Sequence, residues 1–306
     1  MEHGSKIFIA GHTGLVGSYL CNSLEKKGYW NLLTCPSSEL DLRRQGEVDA
    51  FFSRERPEYV FMAAAVKAGV AEYGKRPVEF FSDNMLMEIN ILSAACRYKV
   101  KKMVLAGASC VYPESTGQVI GETCFPGGWV QKATEPYALA KAAGLKLAEY
   151  YNSEYGTSYV TAVLSNIYGI TDNAHMDTTS VMPALIQRFK KAAAEQGSEV
   201  AVWRDGSNKR EFLHAGDCAE ALIRIMESGI NTGWVNVGFG EMVSIRELAG
   251  LVAQAVNYKG DIVFDHTKPN GSKRSVLDIS KLRGLDWQPS VSLEAGIREL
   301  ADTIPF

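Results

Sequence analysis

Short apolar runs alternate along this chain with longer segments in which apolar residues return every three or four positions. The runs are Lys6-Ile7-Phe8-Ile9-Ala10, Leu32-Leu33-Thr34-Cys35, Tyr59-Val60-Phe61-Met62-Ala63, Lys101-Lys102-Met103-Val104-Leu105-Ala106 and Val160 to Leu164. Between them, helical periodicity runs from the glycine-rich turn at Gly11 to Gly28, then over Gln45 to Arg56, Lys75 to Tyr98, and about Tyr137 to Tyr155, where Gly156 offers a left-handed cap. Strands alternating with helices of this length predict an α/β protein with a doubly wound parallel sheet of the Rossmann type. Its ligand is expected outside the carboxyl ends of the strands.

Beyond Gly169 the alternation becomes irregular. A polar loop from Thr171 to Ser180 precedes an amphipathic helix, Val181 to Ala194, and a short strand around Val200-Ala201-Val202-Trp203. Arg210-Glu211-Phe212-Leu213-His214 is expected to return to the main sheet, with a helix over Gly216 to Glu227 and a strand at Trp234-Val235-Asn236-Val237. Ser244-Ile245-Arg246-Glu247 is a capping-box pattern that opens a helix to Val256. Ile262-Val263-Phe264 and the basic loop Lys268 to Arg274 close the chain's second part. The expected division is a dinucleotide-binding domain over 1–170, with 210–240 returning to it, and a smaller substrate lobe over 171–209 and 241–306. No repeat, low-complexity run or linker separates them, so one unit with a cleft is expected.

Composition narrows the function. In 306 residues, 46% hydrophobic and 22% charged content is the profile of a globular chain with a substantial core. A formal net charge of −3 and no arginine-lysine run longer than a pair argue against nucleic acid as a partner. No apolar segment approaches the roughly 20 residues of a membrane helix, and Met1 to Lys6 leads into a strand without a signal-peptide pattern. A cytoplasmic protein is expected. The cysteines Cys21, Cys35, Cys96, Cys110, Cys124 and Cys218 form no C-x-x-C, so no metal site is expected and free thiols are.

Three stretches carry candidate chemistry. Gly11-His12-Thr13-Gly14-Leu15-Val16-Gly17 follows the first strand and opens a helix; its glycines allow close approach to a pyrophosphate, which the free N–H groups of the helix start would bind. After the second strand, Pro36-Ser37-Ser38 holds no acid to bond a ribose 2′-hydroxyl, which leans the cofactor toward NADP(H), with Ser37 near the 2′-phosphate. Asp41-Leu42 could reach the adenine edge, with a helix N-cap as the alternative for Asp41. Ala63-Ala64-Ala65 and Gly107 are small residues where backbone would lie against the cofactor. Tyr137 and Lys141 stand four apart at a helix start and so share a face. An ammonium beside the phenol is expected to favour the phenolate, lowering a pKa of about 10 toward the working range of an acid or base.

With the glycine turn, the Tyr-Lys pair and Ser165-Asn166-Ile167-Tyr168-Gly169 in this order, the sequence resembles the extended short-chain dehydrogenase/reductases that act on nucleotide sugars, and within them the GDP-L-fucose synthase family. The likeness extends to Ile9-Ala10-Gly11-His12, Ser109-Cys110-Val111-Tyr112-Pro113, Glu135-Pro136-Tyr137-Ala138, Val202-Trp203 and Arg210-Glu211-Phe212-Leu213-His214. It implies an NADPH-dependent enzyme, a homodimer, acting on a GDP-linked 4-keto-6-deoxy sugar, epimerising C3 and C5 and reducing C4. It also implies that Tyr137 and Lys141 are catalytic, that Cys110 works in epimerisation, and that Asn166 lines the nicotinamide pocket. Arg188, Trp203, Arg210, Asn270 and Arg274 would meet the GDP portion; without the resemblance, surface salt bridges are the expectation for Arg188 and Arg210.

The sequence departs from that family at three places. Ala108 stands where the family has a catalytic serine; Ser109, its neighbour, is carried as a catalytic and substrate-binding candidate, although strand alternation would aim it at the opposite face. Ser180 stands where the family has its epimerisation histidine, and Ser275 where it has a diphosphate-binding lysine. The expectation is therefore a 4-reductase in which epimerisation is altered or absent. The alternatives are a full 3,5-epimerase/4-reductase with His175 replacing the lost imidazole, and a non-catalytic NADP-binding sensor.

Overall fold

Ile7–Ala10 (β1) is buried at every residue, as a central strand of a parallel sheet must be. Gly11 turns the chain at φ +87° into Leu15–Lys26 (α1). The first half continues with Leu32–Leu33 (β2), Gln45–Glu55 (α2), Tyr59–Met62 (β3), the short Val70–Tyr73 (α3), Pro77–Arg97 (α4) and Lys102–Ala108 (β4). Val119–Ile120 (β5), Glu135–Tyr155 (α5), Tyr159–Leu164 (β6) and Asn166–Tyr168 (β7) follow. The second half is Val181–Ala194 (α6), Glu199–Trp203 (β8), Lys209–Arg210 (β9), Phe212–His214 (β10), Ala215–Glu227 (α7), Trp234–Val237 (β11), Val243–Ser244 (β12), Ile245–Ala255 (α8), Asp261–Asp265 (β13), Val276–Leu277 (β14), Ser280–Arg283 (α9) and Leu293–Thr303 (α10). This computed structural model describes residues 1–113, 119–170, 180–195, 197–267 and 275–304.

Six strands form the main sheet in the order β11-β6-β4-β3-β1-β2, and every pairing in it is parallel. From β1 the chain first runs outward to β2 and then back past β1 to β3, so the strand order reverses between β1 and β3. A crevice opens at such a point at the carboxyl ends of the strands. Gly11, ending β1, and Ala63-Ala64-Ala65, ending β3, are its two lips, with Ala63 N–H bonded to the Ala10 carbonyl at 2.9 Å.

Two apolar clusters cover the sheet. One gathers Leu20 and Leu24 of α1 with Leu222, Ile225 and Met226 of α7. The other gathers Phe51 and Phe52 of α2, Ile91 and Leu92 of α4 and Ala148 of α5. A third core, around Met182, Ile186 and Phe189 of α6, Leu248 and Val252 of α8 and Ile297 and Leu300 of α10, belongs to the second half of the chain. Ser244 caps α8 through a complete capping box with Glu247, as the sequence pattern implies.

One expectation is corrected. Arg210–His214 does not return to the main sheet: β10 pairs in parallel with β7 alone, and β9 pairs with β12. Of the segment 210–240, β11 joins the main sheet beside β6, and α7 packs against α1. The physical reason is the break at Ser165. Its N–H still bonds the Val237 carbonyl at 2.9 Å, but β7 beyond it leaves the sheet and takes β10 as its own partner.

Tyr112 and Asn236 tie the sheet's edge to the turn that follows β4. Asn236 is fully buried. Its amide donates to the Ile120 carbonyl at 2.9 Å and the Asp278 carbonyl at 3.1 Å, and its oxygen accepts from the Tyr112 hydroxyl at 2.6 Å. All three side-chain bonds of a buried amide are thus made, which is the condition for placing it there at no large desolvation cost.

Candidate active site

The glycine turn has the close packing a dinucleotide cradle needs. A Cβ on Gly17 would lie 2.1 Å from the Gly11 carbonyl oxygen, and one on Gly11 would lie 2.6 Å from the Ala64 nitrogen. Only hydrogen fits at either place, so helix α1 starts hard against the end of β1. Gly14 is the N-cap and brings no side-chain cap, which leaves the first N–H groups of α1 for an anion. His12 in the same turn has a buried Nδ1 without a hydrogen-bond partner in the structure. These residues fit a dinucleotide pyrophosphate.

The neighbouring candidates divide. Asn84 on α4 clamps the chain after β3, accepting from the Val66 N–H at 3.0 Å and donating to the Val66 carbonyl at 2.9 Å. Asn90, one helical repeat further, donates to the Leu42 carbonyl at 2.9 Å and so fixes the loop that carries Asp41 and Leu42. Asp41 is not the N-cap of α2, which is Arg44. The Arg43 guanidinium grips Asp41 at 2.9 Å and holds its carboxyl below the usual range. Gly107 has a packing reason in place of a cofactor one: a Cβ there would meet Thr161 Cγ2 of β6 at 2.8 Å.

Tyr137 enters the crevice from the first turn of α5. Pro136 sits at the head of that helix, where its missing N–H costs nothing, and Glu135 beside it complements the helix dipole. Tyr137 is buried among Tyr73, Phe80, Cys110, Val130 and Ala138, and its ring stacks on Tyr73 at 5.7 Å. The structure thus brings Tyr137 and Cys110 into one apolar pocket. Ser109, half-buried, belongs to a 3-10 turn over Ser109–Val111 that packs on α5. Strand β4 ends at Ala108, so the alternation argument against Ser109 does not apply.

Lys141 departs most from expectation. Its Nζ donates to Glu88 Oε1 of α4 at 2.8 Å, with both side chains about as buried as the core, at 3% and 5% exposure. Among the described residues it shares no hydrogen bond with Tyr137. The expected lowering of the phenol's pKa is therefore corrected: burial first, then Cys110, Tyr73 and Glu88, push Tyr137 well above its ordinary value. Burial likewise pushes the Glu88 carboxyl up, against the opposing pull of Lys141. The phenol is held as a proton-bearing group.

On the substrate side, Arg188 and Trp203 line one cleft of about 260 Å³ with Lys191, Glu195, Glu199 and Asp265. Trp203 is 55% exposed there. Arg188 donates to the Ala201 carbonyl at 2.9 Å, an attachment to backbone in place of the expected surface salt bridge. Arg210 is outside that cleft's lining and donates to the Lys209 carbonyl at 2.7 Å. Ser180 is the N-cap of α6 and gives it no side-chain bond. Asn166 is exposed at the start of β7 and donates to the Glu211 carbonyl at 2.8 Å. Asn270, Arg274 and His175 lie outside the described residues.

Glu88 and Glu211 are residues that motif reading passes over. Glu211 is buried, accepts from the N–H groups of Gly240 at 2.7 Å and Leu277 at 3.1 Å, and is pushed up to about 7 by desolvation. It pins the segment between β9 and β10 to the loop after β11 and to β14. Its sequence signal is weak, because a glutamate between Arg210 and Phe212 reads as an ordinary strand residue.

Residues 7–238 match the NAD dependent epimerase/dehydratase family. The chain is 40% identical over 299 residues to putative GDP-L-fucose synthase 2 of Arabidopsis thaliana, covering 98% of this chain and 91% of that protein. It superposes on a GDP-mannoheptose C4 reductase from Campylobacter jejuni, solved with NADP bound, with a TM-score of 0.88 at 33% identity, over 99% of this chain and 98% of that one. A GDP-6-OMe-4-keto-L-xylo-heptose reductase from the same organism gives 0.90 at 30% identity, with the same coverage.

Proposed function

This chain belongs to the NAD dependent epimerase/dehydratase family, and from that premise we propose that it is an NADPH-dependent 4-reductase of a GDP-linked 4-keto-6-deoxy sugar, with C3/C5 epimerisation altered or absent. The observation that carries the reading is the buried, proton-bearing phenol of Tyr137 at the carboxyl edge of the sheet, beside the Gly11–Gly17 cradle. NADPH, when bound, supplies hydride to the sugar's C4. Tyr137 gives its proton to the C4 oxygen as the charge develops there, and its surroundings exclude water from that transfer. Arg188 and Trp203 would hold the nucleotide end, the arginine as a planar donor to phosphate and the indole as a stacking surface. The same proposal assigns cofactor binding to 1–170 with 210–240, and substrate binding to the remainder.

The reductase reading is favoured over a full epimerase by two side chains. Inverting C3 and C5 needs an acid and a base on opposite faces of the ring. Cys110 supplies one thiol in the pocket, but Ser180, where the family carries an imidazole, has no titration near neutrality. Incubation with GDP-4-keto-6-deoxymannose and NADPH in heavy water, followed by NMR of the product, decides this. Steady NADPH oxidation with no deuterium at C3 or C5 is expected. Deuterium at both centres would establish the full epimerase; no oxidation with this sugar or its heptose counterpart would leave the sensor.

A homodimer belongs to the same proposal. Val78, Phe81, Leu86 and Ile89 of α4 are exposed at helical spacing, and Tyr150 and Tyr155 of α5, which packs beside α4, are exposed as well. Two copies joined through this apolar face would make a four-helix bundle. Sedimentation should give twice 33.5 kDa, and Phe81→Lys should halve it; a wild-type monomer at micromolar concentration would refute the dimer. A reducing, cytoplasmic setting fits the six free cysteines. Among the described residues no helix is long and apolar enough to cross a membrane.

A further inference from the structure

Two features of the helix pair α4 and α5 have no use in the reaction as described so far. Glu88 is a carboxylate on the buried face of α4, 4% exposed, whose Oε2 has no hydrogen-bond partner in the structure. Gly144 lies inside α5, one turn beyond Lys141, where glycine costs a helix about 1 kcal/mol relative to alanine. The two explain each other. A Cβ on Gly144 would stand 1.5 Å from Glu88 Oε2, so the glycine is the seat of the carboxylate. A helix weakened at its centre to admit a buried acid is a built site, and the acid's only described hydrogen bond is to Lys141 Nζ.

We infer that Glu88 is a positioning residue that holds the Lys141 ammonium and cancels its charge, keeping Tyr137 in its proton-bearing form and fitting the site to reduce a ketone rather than to oxidise an alcohol. The argument does not depend on which partner holds the proton. As ammonium with carboxylate, or as amine with carboxylic acid, the pair has no net charge, so no isolated cation stabilises a phenolate four residues away. The titratable groups facing Tyr137 are Glu88 from α4, Tyr73 from α3, Cys110 from the turn after β4 and Lys141 from α5 itself. Three of these oppose a phenolate, and the fourth is neutralised. A base-catalysed alcohol oxidation wants the reverse balance, with the lysine's charge unspent. Glu88 touches neither reactant in this scheme, and its effect passes through Lys141.

The inference rests on the proposal that Tyr137 is the acid, so its test includes a readout without turnover. The 13 tyrosines are labelled with 13C at Cζ, and the Tyr137 resonance is assigned by its loss in Tyr137→Phe. In the wild-type free protein the resonance is expected to remain that of a phenol at pH 10. In Glu88→Gln, which keeps an acceptor for Lys141 but removes the balancing charge, the midpoint should fall by about one pH unit or more. Glu88→Asp should restore part of the shift. The alkaline limb of kcat for NADPH oxidation should move with it. A wild-type phenolate formed below pH 10, or an unmoved midpoint in folded Glu88→Gln, overturns the inference. Gly144→Ala displaces the same carboxylate by another route and gives the same decision should Glu88→Gln not fold. Absence of turnover in the wild type would count against the reductase proposal and leave the resonance test of Glu88 intact.

Discussion

Replacing Tyr137 by phenylalanine is expected to lower kcat for ketosugar reduction by about 10²–10⁴-fold, the usual contribution of a positioned general acid, while thermal stability and NADPH affinity stay near wild type. The separation follows from the surroundings of the side chain. The ring's stacking on Tyr73 at 5.7 Å and its burial with Phe80, Val130 and Ala138 are all kept by phenylalanine. The hydroxyl makes no hydrogen bond to any described residue, so its removal leaves no buried partner unsatisfied. Steady-state kinetics and a thermal melt on the same preparation check both halves. Undiminished turnover would move the acid to another group, and Ser109, the hydroxyl on the turn after β4, would be the first to examine.

Lys141→Met is expected to fail in the opposite way, losing activity and stability together. Breaking a buried ion pair from one side strands the other charge at a cost of about 3–5 kcal/mol, and Glu88 has nowhere to turn, since Oε1 loses its only described donor and Oε2 has none. The loss should depend on pH. Burial already pushes the Glu88 carboxyl above its ordinary value with Lys141 present, and removing the ammonium pushes it further. A folded-state value above the unfolded one means that the folded chain binds more protons, so stability is retained below the unfolded carboxyl range and falls as pH rises through the folded value. The Lys141→Met protein should therefore lie closer to wild type in acid than at neutral pH. Adding Glu88→Gln should recover part of the melting temperature without recovering turnover. A melt that is independent of pH would mean that water reaches the stranded carboxylate.

The doubly wound sheet was legible in the sequence because its strands are fully buried and its helices are not, so apolar runs and helical periods separate cleanly around β1, α2 and β6. The glycine turn and the Tyr137–Lys141 spacing were legible for a different reason: each is a local constraint, met within seven residues. Glu88 escaped because it lies 53 residues from Lys141, and its pairing exists only through the packing of α4 on α5. A signal was present, since a glutamate between Met87 and Ile91 stands on the buried face of an amphipathic helix and Gly144 interrupts another. Either alone reads as tolerance; together they describe a socket. The path of Arg210–His214 was misjudged because a short apolar run states that a strand exists but not which edge accepts it. That edge was created by β7 leaving the sheet at Ser165.

The bonds of Asn236 bear on the order in which the molecule can be completed. The turn carrying Ser109 and Cys110 is fastened through Tyr112 to a side chain more than 120 residues further along, which is itself held by the Ile120 and Asp278 carbonyls. A nascent chain that has reached residue 170 already contains the nucleotide cradle, Tyr137, Lys141 and Glu88, yet has nothing to anchor the reactive edge of its pocket. The redox centre of this protein is encoded early and locked late, when the edge strand β11 and the segment at Asp278 arrive from the ribosome.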